Sequence, residues 1–141
     1  MDWEQLAREI EVATDNRAPA PGRFRALFAP GGTYQDPVNP PLSDFDELGR
    51  QTDGATPDWH CEITTISGGE GAGAMEWIGR ATLFGRAPFE LHGCAYIEVD
   101  AEGLVTRWRD YFDLNEIERQ TAHVFAEGGA DAGAAGAGVI G

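Results

Sequence analysis

The sequence is poor in basic residues. Ten arginine and lysine side chains stand against 24 aspartates and glutamates, which gives a formal net charge of −14. Proteins that bind nucleic acid use clustered Lys and Arg against the phosphates, and an anionic membrane surface attracts the same clusters. The acidic residues are spread along the chain, as is typical of a soluble, self-repelling surface. The composition therefore excludes nucleic acid and an anionic membrane as partners.

Long apolar runs are also missing. No segment approaches the roughly 20 apolar residues that span a bilayer. The first residues, MDWEQLAREIE, are charged from Asp2 onward and lack the apolar core of a secretory signal. We therefore expect a cytoplasmic protein.

Metal ligands and nucleophiles are few and isolated. Cys61 and Cys94 lie in strand-like segments without a CxxC spacing, which predicts buried thiols in a reducing compartment. The three histidines show no HxH or HExxH spacing, and no GxSxG motif is present. The segment GEGAGA lies between two predicted strands and opens no helix, unlike a dinucleotide-binding loop. The sequence predicts no metal and no cofactor.

The first part of the chain has helical patterns. Apolar residues recur at helical spacing in the first segment, where Asp2 and Gln5 form a capping-box pattern. Ser43 is the predicted N-cap of a later helix. The predicted elements are a helix over 2–16, a short helix over 22–30, a strand over 32–37, a loop over 38–42 and a helix over 43–51.

Four extended segments follow, rich in aromatic and β-branched residues. The short glycine-bearing turns between them predict an antiparallel meander. The predicted strands are 58–66, 74–85, 88–99 and 104–112, followed by a helix over 114–125.

Helices followed by strands are the pattern of an α+β fold. A strongly curved antiparallel sheet with the N-terminal helices over its concave face would form a cone-shaped barrel around an apolar pocket. We predict a single domain over residues 1–126. Residues 127–141 are small and of low complexity, so we expect a disordered tail there.

One carboxylate occupies an unexpected place in the last predicted strand, within RWRDYFD. Because alternate residues of a strand share a face, Asp110 groups with Leu104, Thr106, Trp108 and Phe112 on the more apolar side. Ionisation there is expensive. The same parity places the following residues on the apolar face of neighbouring strands: Met75, Trp77, Gly79, Ala81, Leu83, Gly93, Ala95, Ile97 and Val99.

Tyr34 and Asp36 share a parity in GTYQDP, and we expect them to meet Asp110 at the pocket. Burial and mutual repulsion would separate the pKa values of the two carboxyls, leaving one as an acid and the other as a base. The surrounding rings are expected to offer no strong hydrogen-bond donor. Two structural alternatives are open: an ion pair between Asp110 and an arginine, and a role of Asp36 in an Asp-Pro turn.

The segments YQDPVNPP and EVDAEGLVTRWRDYFDLNEIERQ, in this order of elements, resemble the SnoaL-like branch of the nuclear transport factor 2-like superfamily over residues 2–122. That superfamily includes ketosteroid isomerase, SnoaL-type polyketide cyclases, scytalone dehydratase and limonene-epoxide hydrolase. The resemblance implies a cone-shaped α+β barrel. It also implies a homodimer through the outer sheet face, with residues such as Arg80, Tyr96 and Arg109 in the contact.

Two local matches concern chemistry. WRDYFDL is similar to a segment of limonene-epoxide hydrolase whose aspartate activates water, and Asp110 matches that aspartate. The tyrosine and asparagine that help to hold the water fall at Tyr34 and Asp36. QDPVNPP is similar to the segment of ketosteroid isomerase that carries its proton-shuttling base, which again falls at Asp36.

This chain departs from both families. The arginine and the second aspartate of the hydrolase fall on Trp77 and Gly79. The oxyanion-binding aspartic acid and tyrosine of the isomerase fall on Ala95 and near Val12. Each mechanism is therefore matched only in part.

The sequence predicts a cofactor-independent acid–base enzyme for a hydrophobic small molecule, acting by epoxide opening or by polyketide cyclisation or isomerisation. The alternative is a non-catalytic binding or assembly module of the same fold. The predicted catalytic residues are Asp110, Asp36 and Tyr34, and the predicted substrate-binding residues are Trp77, Trp108, Phe112 and Ala95.

Overall fold

The computed structural model describes residues 1–128, with the side chains of 50–53 and 127–128 left out of the description. A six-stranded sheet has the order β2-β1-β6-β5-β4-β3. The α+β class is confirmed. In chain order the elements are α1 (Trp3–Ala13), a 3-10 turn (Arg25–Leu27), β1 (Phe28–Asp36), β2 (Asn39–Leu42), α2 (Phe45–Ala55), β3 (His60–Gly68), β4 (Ala72–Leu83), β5 (Ala87–Val99), β6 (Val105–Phe112) and α3 (Asn115–Gly128).

The sheet is mixed, although the sequence predicts an antiparallel one. The meander from β3 to β6 is antiparallel, as predicted. However, β1 pairs with β6 in parallel, with Tyr34 opposite Trp108. The chain leaves β2, crosses to the far edge at β3 and returns strand by strand to β1. This return places the end of β1 beside the end of β6.

Helix α1 is fixed over the sheet at several points. Its buried face consists of Trp3, Leu6, Ala7 and Ile10, and its N-cap Asp2 accepts a hydrogen bond from the Gln5 backbone N–H, as predicted. Glu11 accepts a bond of 2.8 Å from the Ile63 N–H, next to an irregularity in the β3–β4 register. The helix thereby satisfies a strand donor that the sheet leaves open.

Three local predictions between residues 22 and 51 are wrong. The short helix is only the 3-10 turn, and the chain is already extended at Phe28. The predicted loop is the strand β2, which tolerates Pro40 because it lies at the sheet edge. The N-cap of α2 is Asp44, which accepts from the Glu47 N–H, whereas the Ser43 hydroxyl donates to the Gly32 carbonyl.

The predicted strand parity holds for β4, where the whole predicted apolar face is buried. On β6 it holds at Trp108 but fails earlier, because Val105 is fully buried and Thr106 is exposed. The register between β5 and β6 shifts between Glu98 and Val99. An extra residue on one strand reverses the side-chain alternation beyond it.

Within residues 1–128, no helix combines the length and apolarity needed to cross a bilayer. The last helix extends to Gly128. The rest of the predicted disordered tail, residues 129–141, lies outside the described residues.

Candidate functional site

The structure places Tyr34 between Asp36 and Asp110, in hydrogen-bond contact with both. The Tyr34 Oη atom lies 2.8 Å from Asp110 Oδ2 and 3.0 Å from Asp36 Oδ2. The contact follows from the fold, because β1 runs parallel to β6 and the two strands end side by side. Sequence parity therefore identifies three residues that share one hydrogen-bond network.

Asp36 occupies the buried end of this network, and the turn after β1 surrounds its carboxylate. Its Oδ1 accepts from the Val38 N–H at 2.9 Å and from the Asn39 N–H at 2.8 Å. The Asn39 Nδ2 atom lies 3.1 Å from both carboxylate oxygens. With the Tyr34 contact, these donors fill the roughly four acceptor sites of a carboxylate. Asp36 thus holds the turn, as the structural alternative proposed, and it does not line the cavity described below.

Asp110 accepts hydrogen bonds from two tryptophans. Both the Trp77 Nε1–H, at 3.2 Å, and the Trp108 Nε1–H, at 3.0 Å, donate to Asp110 Oδ1. The expectation that the rings offer no strong donor is therefore wrong, because the indoles turn their N–H groups toward the carboxylate.

The arginine alternative for Asp110 is also wrong within the described side chains, where no ion pair involves this residue. The adjacent Arg109 points to the outer face of the sheet, with its Cζ 5.2 Å from the ring centroid of Tyr96. Asp110 is thus a half-buried carboxylate with three neutral donors and, among the described side chains, no cationic partner.

The Tyr34 hydroxyl has one proton, yet its Oη makes short contacts with two carboxyl oxygens. While Asp110 is ionised, Tyr34 can donate to only one of these oxygens at a time. When Asp110 is protonated, its own proton can be donated to Tyr34 Oη, and Tyr34 can then donate to Asp36.

The pKa values of Asp110 and Tyr34 are both raised. Burial raises the pKa of Asp110 to about 6, and the Asp36 charge adds to the rise, while the bonds from Trp108, Tyr34 and Trp77 oppose it. Burial, followed by the charges of the two carboxylates, raises the pKa of Tyr34 well above its ordinary value. Near neutral pH, Asp110 therefore exchanges protons readily and Tyr34 stays protonated.

A cavity of about 180 Å³ adjoins Asp110. Helices α1 and α2 and the segment after α1 cover the concave face of the sheet, and a carboxylate with three donors keeps about one acceptor site open. For comparison, an engineered apolar cavity of roughly 150 Å³ holds benzene. The lining residues are Ile10, Ala13, Thr14, Asn16, Phe24, Tyr34, Phe45, Leu48, Gly49, Trp59, Cys61, Ile63, Met75, Trp77, Ala95, Trp108, Asp110 and Phe112.

The four predicted substrate-binding residues, Trp77, Trp108, Phe112 and Ala95, all line this cavity. Sequence reasoning missed the helical side of the lining. Phe45, Leu48 and Gly49 follow the i, i+3, i+4 spacing of one helix face, which could have identified them. It also missed Cys61, whose pKa burial raises to about 11. Its thiol is therefore neutral and a poor nucleophile at physiological pH.

Two glycines provide space for the tryptophans of the site. Trp77 on β4 lies opposite Gly93 on β5, and a Cβ at Gly93 would lie 2.1 Å from Trp77 Cζ2. The indole therefore passes over β5 to reach Asp110 on β6. A Cβ at Gly79 would likewise lie 2.1 Å from the Trp59 ring. Trp59 thus fills the space that an aspartate would need at this position.

The raised pKa of Asp110 makes a stability prediction. Its folded value of about 6 exceeds its reference value of 3.8, so burial of the anion destabilises the fold as pH rises above about 4, and fully above about 6. A shift of about two units corresponds to roughly 3 kcal/mol. Asp110→Asn preserves the contacts, because the amide oxygen can accept from both indoles and its NH₂ can donate to Tyr34 Oη. We expect the variant to have a free energy of unfolding about 1–3 kcal/mol higher at pH 7.

Urea denaturation at pH 4 and pH 7 measures this effect, and carboxyl NMR titration locates the pKa. The gain should nearly vanish at pH 4. Asp36→Asn is the matched control: it places an NH₂ group among N–H donors and should destabilise the fold. An Asp110 pKa at or below its ordinary value, with a destabilised Asn variant, would contradict the prediction.

Gly93→Ala tests whether the space above Gly93 positions the Trp77 indole. The added Cβ forces the indole away from its position over β5, which breaks its bond to Asp110. Because that bond lowers the Asp110 pKa, we expect NMR titration to give a value above that of the unmodified protein, with about 1–3 kcal/mol of destabilisation from overpacking. Gly71→Ala is the control, because a Cβ there meets no atom within 4 Å. An unchanged Asp110 titration in Gly93→Ala would show that the space above Gly93 is not needed for the bond from Trp77 to Asp110.

Known structures share this fold. An NTF2-like protein of unknown function from Burkholderia pseudomallei K96243 has a TM-score of 0.72 at 16% identity, over 85% of this chain and 97% of that chain. IdmH from Streptomyces antibioticus, a proposed polyketide cyclase, has a TM-score of 0.71 at 18% identity, over 85% and 98%. An LEH-like epoxide hydrolase from M. tuberculosis has a TM-score of 0.68 at 19% identity, over 89% and 96%. At these identities the likeness concerns the fold.

A search of curated proteins finds no significant match to this sequence. The model of the SnoaL-like domain family matches residues 12–108, which is more than half of the chain. The match includes Tyr34, Asp36, Trp77 and Trp108, and it ends two residues before Asp110. On this match, and in agreement with the fold, the protein belongs to the family of SnoaL-like domains.

Proposed function

We propose that the protein is a cofactor-independent acid–base enzyme that acts on a hydrophobic small molecule, with Asp110 as the group that exchanges protons. One observation carries the proposal. Asp110 is the only carboxylate among the described residues that line the apolar cavity, and its pKa of about 6 is close to physiological pH. A general base is most effective when its pKa lies near the operating pH.

Epoxide opening is the first candidate reaction. A water molecule at the open acceptor site of Asp110 would attack a ring carbon. The new C–O bond forms as the ring C–O bond breaks, and Asp110 takes a water proton. Asp110 then passes this proton to the former ring oxygen. Epoxide and water thus give a diol, and the Asp110 carboxylate is regenerated. An LEH-like epoxide hydrolase shares the fold, which supports this candidate.

Isomerisation or cyclisation is the second candidate reaction. Asp110 would take a proton from a substrate carbon and return it at another position, which leaves the composition unchanged. IdmH, a proposed polyketide cyclase, shares the fold. In both candidates, Tyr34 orients the reacting carboxyl, Trp77 and Trp108 fix its second oxygen, and Phe112 and Ala95 contact the substrate. Any proton that Asp36 exchanges passes through Tyr34, since Asp36 itself does not reach the cavity.

Substitution of Asp110 tests this function on a panel of small epoxides and cyclic ketones. We expect Asp110→Asn to lower kcat by about 10²–10⁴-fold, the usual contribution of positioned proton transfer. Tyr34→Phe should give a smaller loss. For the native protein, kcat/KM should rise with pH around a midpoint of about 6, because the base must be ionised.

Asp46→Asn and Tyr111→Phe are matched controls because neither residue lines the cavity, and they should retain full activity. Full turnover by Asp110→Asn on a substrate of the native protein would show that Asp110 is not the base.

The second candidate function is a small-molecule binding module. The observation that favours it is the replacement of the arginine and second aspartate of the hydrolase by Trp77 and Gly79, with Trp59 in the space above Gly79. Binding of apolar ligands by the native protein, with no turnover of any compound in the panel, would support the module over the enzyme.

We also propose a homodimer through the outer sheet face and a cytoplasmic location. On that face, Arg109 Nε is buried without a hydrogen-bond partner, its guanidinium lies over Tyr96, and Tyr111 is 52% exposed. A second copy would cover these groups; Arg80, which pairs with Glu62 and Glu90, lies on the same face. The free thiols of Cys61 and Cys94 support a reducing compartment.

The dimer is tested by sedimentation equilibrium. We expect the native protein to sediment as a dimer and Tyr96→Asp to shift it toward the monomer, because a buried carboxylate at the contact would be desolvated. Thr64→Asp, at an exposed position of β3, is the control and should stay dimeric. A monomeric native protein at high micromolar concentration would exclude the dimer.

A further inference from the structure

We propose that the cavity binds compact hydrophobic amines in their protonated form, with the ammonium group at Asp110 and its alkyl groups against the surrounding rings. This inference concerns the ligand class of the cavity. It goes beyond the proposed function, because it requires no catalytic step.

The first argument is the charge of the lining. Asp110 is its one carboxylate, and the described lining residues include no Lys, Arg or His. Arg25 approaches the lining residue Phe45, with 6.0 Å between its Cζ and the ring centroid, but its side chain is exposed and pairs with Asp46. When Asp110 ionises, its charge has no counterion among these residues. A cationic ligand would supply one.

The second argument is the aromatic wall. Rings attract cations to their faces, and aromatic surroundings are how proteins recognise alkylated ammonium groups. These rings pack in two groups that meet at Asp110. Phe24, Tyr34, Phe45 and Trp108 contact one another on the β1 side, and Trp59, Trp77 and Phe112 do so on the β4 side.

The third argument is the hydrogen-bonding capacity near Asp110. Its three neighbouring donors, the Tyr34 hydroxyl and the Trp77 and Trp108 indoles, already bond to the carboxylate. An anionic ligand would find these donors engaged and the carboxylate repulsive. A tertiary ammonium, with one N–H, matches the single acceptor site that Asp110 keeps open.

Ligands of equal size and different charge provide the test. N,N-dimethylcyclohexylamine, acetylcyclohexane and cyclohexanecarboxylate are a cation, a neutral molecule and an anion of closely similar shape. Binding is measured by calorimetry and by tryptophan fluorescence, since three tryptophans, Trp59, Trp77 and Trp108, line the cavity. At pH 8 we expect the amine to bind about tenfold or more tightly than the ketone, as for a desolvated cation on aromatic faces. The carboxylate should not bind measurably.

The preference should depend on pH. The amine stays protonated from pH 5 to 8, since alkylammonium groups titrate near 10, whereas Asp110 ionises across this range. The titratable groups around Asp110 are Tyr34 and Asp36 on β1, Cys61 on β3 and Cys94 on β5. Glu11 and Asp15 of the α1 region lie near Cys61, and Glu76 of β4 lies near Cys94. Tyr34 and Cys61 stay neutral throughout. We therefore expect the advantage of the amine to fall several-fold from pH 8 to pH 5, while ketone binding stays constant.

Asp110→Asn should remove most of the preference for the amine and leave ketone binding intact. Trp59→Leu, which removes a ring without touching Asp110, should weaken the amine more than the ketone. Equal affinity for amine and ketone at pH 8, tighter binding of the carboxylate, or a preference that survives Asp110→Asn would each overturn the inference. Turnover bears on the proposed function alone: an enzyme that loses activity in Asp110→Asn yet binds all three ligands equally would keep that function and refute the amine site.

Discussion

A half-buried carboxylate without a cationic partner among the described residues is the constraint on which the rest of the site depends. Asp110 lies among aromatic rings, and burial alone would make its anion unfavourable. Three neutral donors from three strands reduce this penalty: Tyr34 from β1, Trp77 from β4 and Trp108 from β6. They do not remove it, since the pKa stays raised at about 6. The charge is therefore tolerated at neutral pH and easily neutralised.

The pairing of the strands positions the donors of these three hydrogen bonds. The parallel pairing of β1 with β6 brings Tyr34 beside Trp108, and the missing side chain of Gly93 lets Trp77 reach across a whole strand. The Asn39 N–H in the turn after β1 donates a hydrogen bond to Asp36, and Asp36 in turn contacts the Tyr34 hydroxyl. The side chains that bond to Asp110 thus stand on hydrogen-bonded strands, where positions are well fixed. Helices α1 and α2 contribute mostly apolar lining, so they set the size of the ligand more than its chemistry.

Strand alternation is enough to predict the contact of Tyr34 with Asp36 and Asp110 from the sequence. It places Asp110 on the inner face of its strand and Tyr34 and Asp36 on a common side, because a period of two is fixed by backbone geometry. The alternation is wrong at Thr106, where a β-bulge reverses the direction of the side chains. No residue type in the sequence identifies this bulge. Strand alternation also does not predict side-chain rotamers. Whether a tryptophan presents its ring face or its N–H to a neighbour depends on the space around it, and that space is made at Gly93 and Gly79 on other parts of the sheet.

Membership of the family likewise predicts the fold but not the side chains that surround Asp110. The family match covers the scaffold and ends at Trp108, whereas the resemblance to the epoxide hydrolases implies an arginine where this chain has Trp77. An arginine beside Asp110 would supply a full positive charge and lower its pKa. An indole supplies a hydrogen bond and no charge. The replacement therefore leaves Asp110 a stronger base, and one whose charge no described residue of the cavity balances. When Asp110 ionises, its charge is therefore offset among the described residues by hydrogen bonds from neutral groups alone.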